Sequence, residues 1–301
     1  MDAPLVIGVD VGGTKILSGV VDRDGTVLSR HLVESPEGSE ANVLTALEKS
    51  IEALLDERVR AIGLGVPANL DRTTRKVLRA TNLPLDDFDL AAYVRARFGL
   101  PVGIENDAGA AALAEWKLGA GRDTSNLVLL TLGTGVGGGL VLDGALYRGW
   151  AEVGHMVVLA GGPPCQGNCH GRGHLETLAS GTAADRAAQE LFGEEADARE
   201  LIERAREGDE RAAARLDEIA GYLGAAIGSL VNLFDPELVV VGGGFGEAAE
   251  DFLLERAQAV AREEALSPAD RTLRVVSAQL GTEAGLIGAG LVGFATLDAE
   301  G

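Results

Sequence analysis

Short apolar runs alternate with glycine-rich breaks over the first third of the chain. Leu5–Asp10 is followed by Gly12-Gly13, Ile16–Asp22, Asp24-Gly25 and Val27–Leu32, which predicts strand, turn, strand, Asp-Gly turn, strand. Val43, Leu44, Leu47, Ile51, Leu54 and Leu55 recur at helical spacing. Ala61–Val66 reads as a strand closed by Pro67, and Leu90–Phe98 as a helix. Pro101–Ile104 is a short strand that stops at Glu105-Asn106-Asp107, ahead of an alanine-rich helix over Ala108–Leu118.

A second round opens at Leu127. Leu127–Leu132 predicts a strand, Gly133–Gly139 a glycine-rich turn, Leu140–Leu142 a strand and Asp143-Gly144 a turn. The segment VIGVDVGGTKILSGVVDRDG therefore matches LVLLTLGTGVGGGLVLDG in plan, with Asp10 beside Thr131 and Thr14 beside Gly135. This is an internal repeat and implies two lobes of common design. Beyond it the chain is mostly helical to Phe234, with a charged helix pair near Ala198–Ile219. Leu238–Val241 is an apolar strand running into Gly242-Gly243-Gly244, and Leu273–Ala278 is a last strand. A terminal apolar helix, Glu283–Leu297, carries Gly285, Gly288, Gly290 and Gly293, which permit close packing. Strands mixed with helices place the chain in the α/β class.

Composition narrows the partners. Of 301 residues 46% are hydrophobic, ample for a core, and the net charge is −20. Such a surface repels nucleic acid and anionic membranes, so neither is expected as a partner. The apolar stretches Gly221–Phe234 and Ala284–Phe294 fall short of the ~20 residues that a spanning helix needs. The N-terminus lacks the pattern of a secretory signal, and a cytoplasmic location is expected. In that compartment the two cysteines are ligands or buried thiols rather than a disulfide.

Five segments carry candidate chemistry. Asp10-Val11-Gly12-Gly13-Thr14 ends a strand with backbone N–H groups, a hydroxyl and a carboxylate, which suit phosphate and a hydrated Mg²⁺; the alternative is a plain hairpin turn. Gly133-Thr134-Gly135-Val136-Gly137 repeats that design, and two such loops can grip phosphates from both sides. Gly242-Gly243-Gly244 is either a tight strand-to-helix turn or an adenosine contact. Glu105-Asn106-Asp107 suits helix capping at one residue, but three polar side chains exceed that need, and Asp107 at a strand mouth is placed as a general base. Between Glu152 and Glu176 lie His155, Cys165, Cys169 and His174, a set suited to tetrahedral structural Zn²⁺. A chance cluster and a redox pair are the alternatives, and His170 is a competing ligand.

DVGGTK, ENDAGAAALAEW, LGTGVGGG, AEVGH, the Cys/His loop ending GHLE, and VVVGGG follow the order of the ROK family of sugar kinases. The resemblance covers nearly the whole chain and is strongest to the ATP-dependent glucokinases. It implies a two-lobed, actin-like ATPase fold of the sugar kinase and Hsp70 type, with a cleft between the lobes. A small lobe would span 1–118, completed by the C-terminal helix 289–301, and a large lobe 119–288 would hold the zinc loop. Asp107 would be the base. Gly65, Asn82, Asn106, Asp107, Glu152, His155 and Glu176 would meet the hexose. Asp10, Gly12, Gly13, Thr14, Lys15, Gly133, Thr134, Gly135, Gly137, Gly242, Gly243 and Gly244 would serve ATP with Mg²⁺. A homodimer or homotetramer is implied.

Four features depart from the family pattern. The first cysteines are spaced Cys165-x3-Cys169 rather than Cys-x-Cys, His174 stands where a third cysteine is common, His170 stands where glycine is common, and Ala68 stands where glycine is frequent. Two thiolates neutralise Zn²⁺ where three would leave it negative. Fructose and N-acetylated hexosamines are alternative acceptors, and polyphosphate an alternative donor that the zinc loop disfavours. A sugar-responsive repressor of the same family would need a helix-turn-helix ahead of Asp10, for which there is no room.

Overall fold

The computed structural model describes residues 3–35, 38–80, 83–167 and 169–301. In chain order it begins with β1 (Leu5–Val11), β2 (Lys15–Val21), β3 (Val27–Glu34), α1 (Glu40–Glu52), β4 (Val59–Val66), β5 (Ala68–Leu70), β6 (Val77–Ala80), α2 (Leu90–Phe98), β7 (Val102–Asn106) and α3 (Asp107–Leu118). It continues with β8 (Leu127–Leu132), β9 (Val136–Leu142), β10 (Ala145–Leu146), α4 (Glu176–Ala179), α5 (Gly181–Phe192), α6 (Ala198–Arg206) and α7 (Glu210–Phe234). It ends with β11 (Leu238–Gly242), α8 (Gly244–Ala248), α9 (Glu250–Glu264), α10 (Ala269–Thr272), β12 (Val275–Ser277) and α11 (Ala284–Glu300). Two compact units result, Met1–Gly119 with Leu146–Trp150 and Glu283–Gly301, and Ala120–Ala145 with Ala151–Thr282. The second boundary falls at the head of α11, so that all of α11 belongs with the first unit.

The first unit holds a five-stranded sheet of order β3-β2-β1-β4-β7, in which β1 pairs antiparallel with β2 and parallel with β4. One face packs on α1 and α2 through Ile7, Val9, Leu47, Ile51, Leu64 and Leu90. The other face receives α11, and glycines on the strands make that possible. Gly19, Gly8, Gly63 and Gly103 lie side by side across β2, β1, β4 and β7. A Cβ on Gly8 would overlap the Leu286 carbonyl oxygen, one on Gly63 the Ala289 carbonyl oxygen, and one on Gly103 the Thr296 hydroxyl. The row is a trough in which the helix backbone rests directly on the sheet. The helix answers with glycines of its own, since a Cβ on Gly288 would overlap the Ala110 carbonyl of α3 and one on Gly293 would strike Val6.

The second unit repeats the plan with a sheet of order β10-β9-β8-β11-β12. Asp10 pairs with Gly65 of β4 just as Thr131 pairs with Gly242 of β11, so the repeat read in the sequence extends to strand register. Its core gathers Leu130, Leu216, Leu223, Ile227, Val239, Val241 and Leu253 around α7 and α9. A Cβ on Gly224 would lie 2.6 Å from the Ala257 carbonyl oxygen, which sets how closely α7 and α9 approach.

The structure redraws two expected elements and adds one. The second hairpin turns within Gly133–Gly135, so β9 begins at Val136 and Gly137–Gly139 are strand residues. Gly138 is needed there because a Cβ would overlap Val153. The last strand shrinks to Val275–Ser277 because Leu273 closes α10. The β5–β6 hairpin, only three and four residues long, was not visible as an apolar run.

The trough has a direct stability consequence. Gly63→Ala should lower the unfolding free energy by about 1–3 kcal/mol or more, because the backbone it strikes cannot rotate away. Gly221→Ala, in α7 with nothing within 4 Å of its Cβ, should be neutral or stabilising by up to about 1 kcal/mol. Urea denaturation of both variants checks the contrast, and equal effects would refute it.

Candidate active site

In the first unit, the C-terminal ends of three parallel strands bring Asp10 of β1, Gly65 of β4 and Glu105 of β7 into one register row. Strand ends of this kind are where open α/β sheets present ligand-binding groups. Asn106 and Asp107 follow Glu105 and open α3. The capping expectation is correct for Asn106, whose Oδ1 accepts the Gly109 N–H at 3.0 Å while its Nδ2 donates to the Ala68 carbonyl at 3.3 Å. Asp107 is different: its Oδ1 accepts the adjacent Ala108 N–H at 2.8 Å, and its carboxyl also takes hydrogen bonds from its own backbone N–H and from the Asn106 side chain, all of them local to the head of α3. A Cβ on Gly65 would sit in ordinary contact with Ala110, Ala289 and the Asp107 Cα, so Gly65 keeps this corner open.

Asp107 retains some surface, yet its carboxyl lies deep among protein atoms, and burial pushes its pKa up. Asp10 is pushed up to about 7 by burial first and by the negative charge of Asp107 second. It also sits against the first turn of α11, where a Cβ on Gly285 would lie 2.6 Å from its carboxylate. The turn that follows exposes Gly13, Thr14 and Lys15 and is closed by the Gly12 N–H donating to the Lys15 carbonyl at 2.8 Å.

In the second unit the equivalent turn is one residue tighter, with the Gly133 N–H donating to the Gly135 carbonyl at 2.9 Å. A network of side chains and backbone fixes it. The Thr134 carbonyl accepts from the Thr182 hydroxyl at 2.8 Å and from Gln166 Nε2 at 3.3 Å, and Glu176 Oε2 accepts the Val136 N–H at 3.1 Å. The Gly181 N–H donates to the Gly133 carbonyl at 2.7 Å. Gly135 is required because a Cβ would overlap the Glu176 carboxylate, whereas a Cβ on Gly133 would meet open space. Of the three glycines that end β11 and lead into α8, Gly243 has φ +84° and backs onto Leu132, and Gly242 faces Ala278. The turn thus accounts for Gly242 and Gly243, and Gly244 alone faces open space.

The Cys/His segment folds as a short ladder. Cys165 N donates to the Gly171 carbonyl at 2.9 Å, Gly173 N to Pro163 at 2.8 Å and Leu175 N to Met156 at 2.9 Å. It brings His155 Nδ1, Cys165 Sγ, Cys169 Sγ and His174 Nδ1 within 4.8 Å of one another, and His170 is outside the group. The two Nδ1 atoms are 3.2 Å apart, Cys165 Sγ is 3.7 Å from His155 Nδ1, and Cys169 Sγ is 3.7 Å from His174 Nδ1. A tetrahedral ion with Zn–N near 2.0–2.1 Å and Zn–S near 2.3 Å sets those edges at about 3.3 Å and about 3.6 Å. The donor set therefore fits such an ion. Burial, and next the Cys169 thiol, push the Cys165 thiol up to about 11; a cation would reverse that preference. The Gly171 N–H donates to Cys169 Sγ at 3.4 Å, a bond suited to a thiolate. A one-turn 3₁₀ helix at Val153–His155 places Glu152 and His155 three residues apart, where side chains eclipse.

Asn82 lies outside the described residues. Arg75, Gln166, Thr182 and Gly285 were missed by sequence reasoning. Gln166 sits between the two cysteines, and that was its only signal; Arg75 had none.

The fold is that of the actin-like sugar kinases, and the chain belongs to the ROK family, matched over residues 6–293. It is 35% identical to the glucokinase of Streptomyces coelicolor, over 95% of this chain and 96% of that protein. It is 38% identical to the glucokinase of Thermotoga maritima, over 81% and 83% respectively. The crystal structure of a ROK family glucokinase from Streptomyces griseus, in complex with glucose and AMPPNP, matches 97% of this chain and 99% of that one, with TM-score 0.85 and 35% identity.

The Asp10 carboxyl makes folding pH-dependent. It ionises near 3.8 when unfolded and near 7 when folded, so its stabilising effect is complete below pH 4 and lost as the pH rises through 7. Without nucleotide or divalent cation, Asp10→Asn should be more stable than the parent at pH 8 by up to the order of 4 kcal/mol. That gain should shrink steadily toward pH 4. Urea midpoints at pH 8 and pH 5 measure it, and a gain independent of pH would contradict the burial argument.

Proposed function

We infer that the chain is an ATP-dependent hexose kinase that converts glucose to glucose 6-phosphate. The observation that carries this reading is Asp107, a deeply set carboxyl at the head of α3 whose hydrogen bonds come only from its immediate neighbours and whose burial raises its pKa. A carboxylate of raised pKa takes a proton from a hydroxyl more readily near neutral pH. Asp107 would accept the proton of the glucose 6-hydroxyl as its oxygen attacks the γ-phosphorus. The turns at Gly12–Thr14 and Gly133–Gly137 would receive the phosphate oxygens through the Thr14 and Thr134 hydroxyls and through the N–H groups not already donated to Lys15, Gly135 and Glu176, an arrangement of positioning and charge stabilisation that phosphoryl transfer requires. Lys15 and Gly244 are proposed as further nucleotide contacts. Asp10 would hold hydrated Mg²⁺, and the all-oxygen donor and its unfavourable buried charge fit a hard cation. When bound, that ion neutralises charge on the β- and γ-phosphates.

For the hexose, Gly65, Asn82, Asn106, Glu152, His155 and Glu176 keep the roles that the resemblance implies. We assign zinc to His155, Cys165, Cys169 and His174. Since His155 offers Nδ1 to that group, its Nε2 is left for sugar, with the tautomer fixed by the metal. One oxygen of Glu176 is committed to Val136, and the other would meet the sugar. No described helix is long and apolar enough to cross a membrane. A homodimer or homotetramer in the cytoplasm completes the proposal.

Two experiments test it. Phosphorylation of glucose, mannose, fructose, N-acetylglucosamine and N-acetylmannosamine with ATP should give the highest kcat/KM for glucose, and Asp107→Asn should lower kcat by ~10²–10⁴-fold. A better N-acetylated or keto acceptor would overturn the glucose assignment, and an Asp107→Asn enzyme above a tenth of parental kcat would overturn the base. Elemental analysis should find one zinc per chain, absent from Cys169→Ser. Because structural zinc contributes ~10–16 kcal/mol of apparent binding energy in small domains, that variant should become protease-sensitive between 156 and 175. A zinc-free, fully active protein would refute the metal.

A further inference from the structure

The Glu105 carboxylate is almost wholly buried, with 8% of the residue exposed, one position before the cap of α3. A buried charge needs a partner, and Arg75 supplies it from thirty residues away with Nη2 2.5 Å from Glu105 Oε1. The same nitrogen donates to the Ile104 carbonyl at 3.3 Å. Glu105 Oε1 also accepts the Asn106 N–H at 2.9 Å, so one oxygen joins the guanidinium to the backbone that leads into Asp107.

Arg75 reaches this place through an unusual backbone. Its φ is +60°, a left-handed conformation uncommon for any residue but glycine. Asp71 enforces it: one carboxylate oxygen accepts the Thr73 N–H at 2.9 Å, the Thr74 N–H at 2.7 Å and the Thr74 hydroxyl at 2.9 Å. The Arg75 N–H then donates to the Asp71 carbonyl at 3.0 Å, and the Asp71 N–H to the Lys76 carbonyl at 2.8 Å. The turn stands at the tip of the β5–β6 hairpin, whose base gives the Ala68 carbonyl to Asn106. The hairpin therefore holds both residues that precede Asp107, by an ion pair at one and an amide bond at the other.

We propose that the β5–β6 hairpin is a positioning element for the Asp107 carboxylate, acting through the Arg75–Glu105 ion pair. The proposal rests on the reading of Asp107 as the general base. The Asp107 carboxyl is held by the N–H groups of Ala108 and of Asp107 itself and by the Asn106 side chain, so its aim follows the chain at 105–108. A displacement of about 1 Å in a reacting group can cost ~10²-fold in rate. Glu105 and Arg75 touch no reacting atom and are positioning residues.

A cycle of Arg75→Met in the parent and in an Asp107→Asn background tests this. In the parent, Arg75→Met should lower kcat by roughly 10–100-fold while KM for ATP changes less than about twofold. Arg75→Lys, which keeps the charge without the planar fork, should fall between the two. In the Asp107→Asn background either Arg75 change should cost almost nothing more, because the group being aimed is gone. Urea midpoints of all forms accompany the rates, and should Arg75→Met not fold, Arg75→Lys runs the same cycle alone. Losses that simply multiply with Asp107→Asn, or a parent kcat kept within twofold, overturn the positioning role while leaving the base intact. An Asp107→Asn enzyme that stays active overturns the base itself, and that outcome is read from a different variant.

Discussion

Direct contact between a helix backbone and a sheet surface is the constraint on which the first unit depends. Side chains normally hold a helix about 10 Å from a sheet, and here four glycines in one register row remove them. The backbone of α11 sinks onto β1, β4 and β7, and three consequences follow. Gly285 reaches the Asp10 carboxylate, Gly288 reaches the carbonyl of Ala110 in α3, and Ala289 closes on Gly65. The candidate base and the candidate Mg²⁺ ligand are thus held by the same helix. The low-polarity contact that seats the helix also desolvates Asp10, which is the larger cause of its raised pKa.

Much of this could be read from the chain because the chemistry is local in sequence. The strand–turn–strand repeats, the Glu105-Asn106-Asp107 break and the four Cys and His ligands each lie within a short segment. The glycines of α11 were visible as well, but their partners were not. Gly8, Gly63 and Gly103 become neighbours only through parallel pairing across crossovers of some forty residues or more, and no local pattern announces that register. Arg75 was hidden for a similar reason: it looks like one more surface charge until the hairpin lays it on Glu105. The glycine run at 133–139 misled in the opposite direction. It read as one long loop, whereas Gly138 answers to the packing of Val153 within a regular strand.

The two units repeat a plan without repeating its charge. At the register position of Asp10 the second unit has Thr131, and the neighbouring strand offers Gly242 where the first offers Gly65. A second carboxylate there would add to the repulsion of a triphosphate on a chain already at −20. A hydroxyl and bare N–H groups provide donors without that cost. On the proposed reading, the carboxylates for Mg²⁺ and for the proton both come from the first unit, and the strand end at Thr131 offers phosphate an uncharged surface.

Glu176 is the carboxylate that touches the second unit's turn, and its bonding shows how its charge is contained. One oxygen is taken by the Val136 N–H inside the phosphate turn, and Gly135 is glycine because the carboxylate occupies the space of its side chain. Glu176 follows His174 by two residues, while Gln166, between the two cysteines, holds the Thr134 carbonyl of the same turn. The Cys/His loop and the proposed phosphate turn therefore share two independent hydrogen bonds, one from between the two cysteines and one from just beyond His174. Four ligands gathered by one ion would fix both ends at once, so order in the loop carries over to the turn. A structural ion placed there would shape nucleotide binding without touching a phosphate.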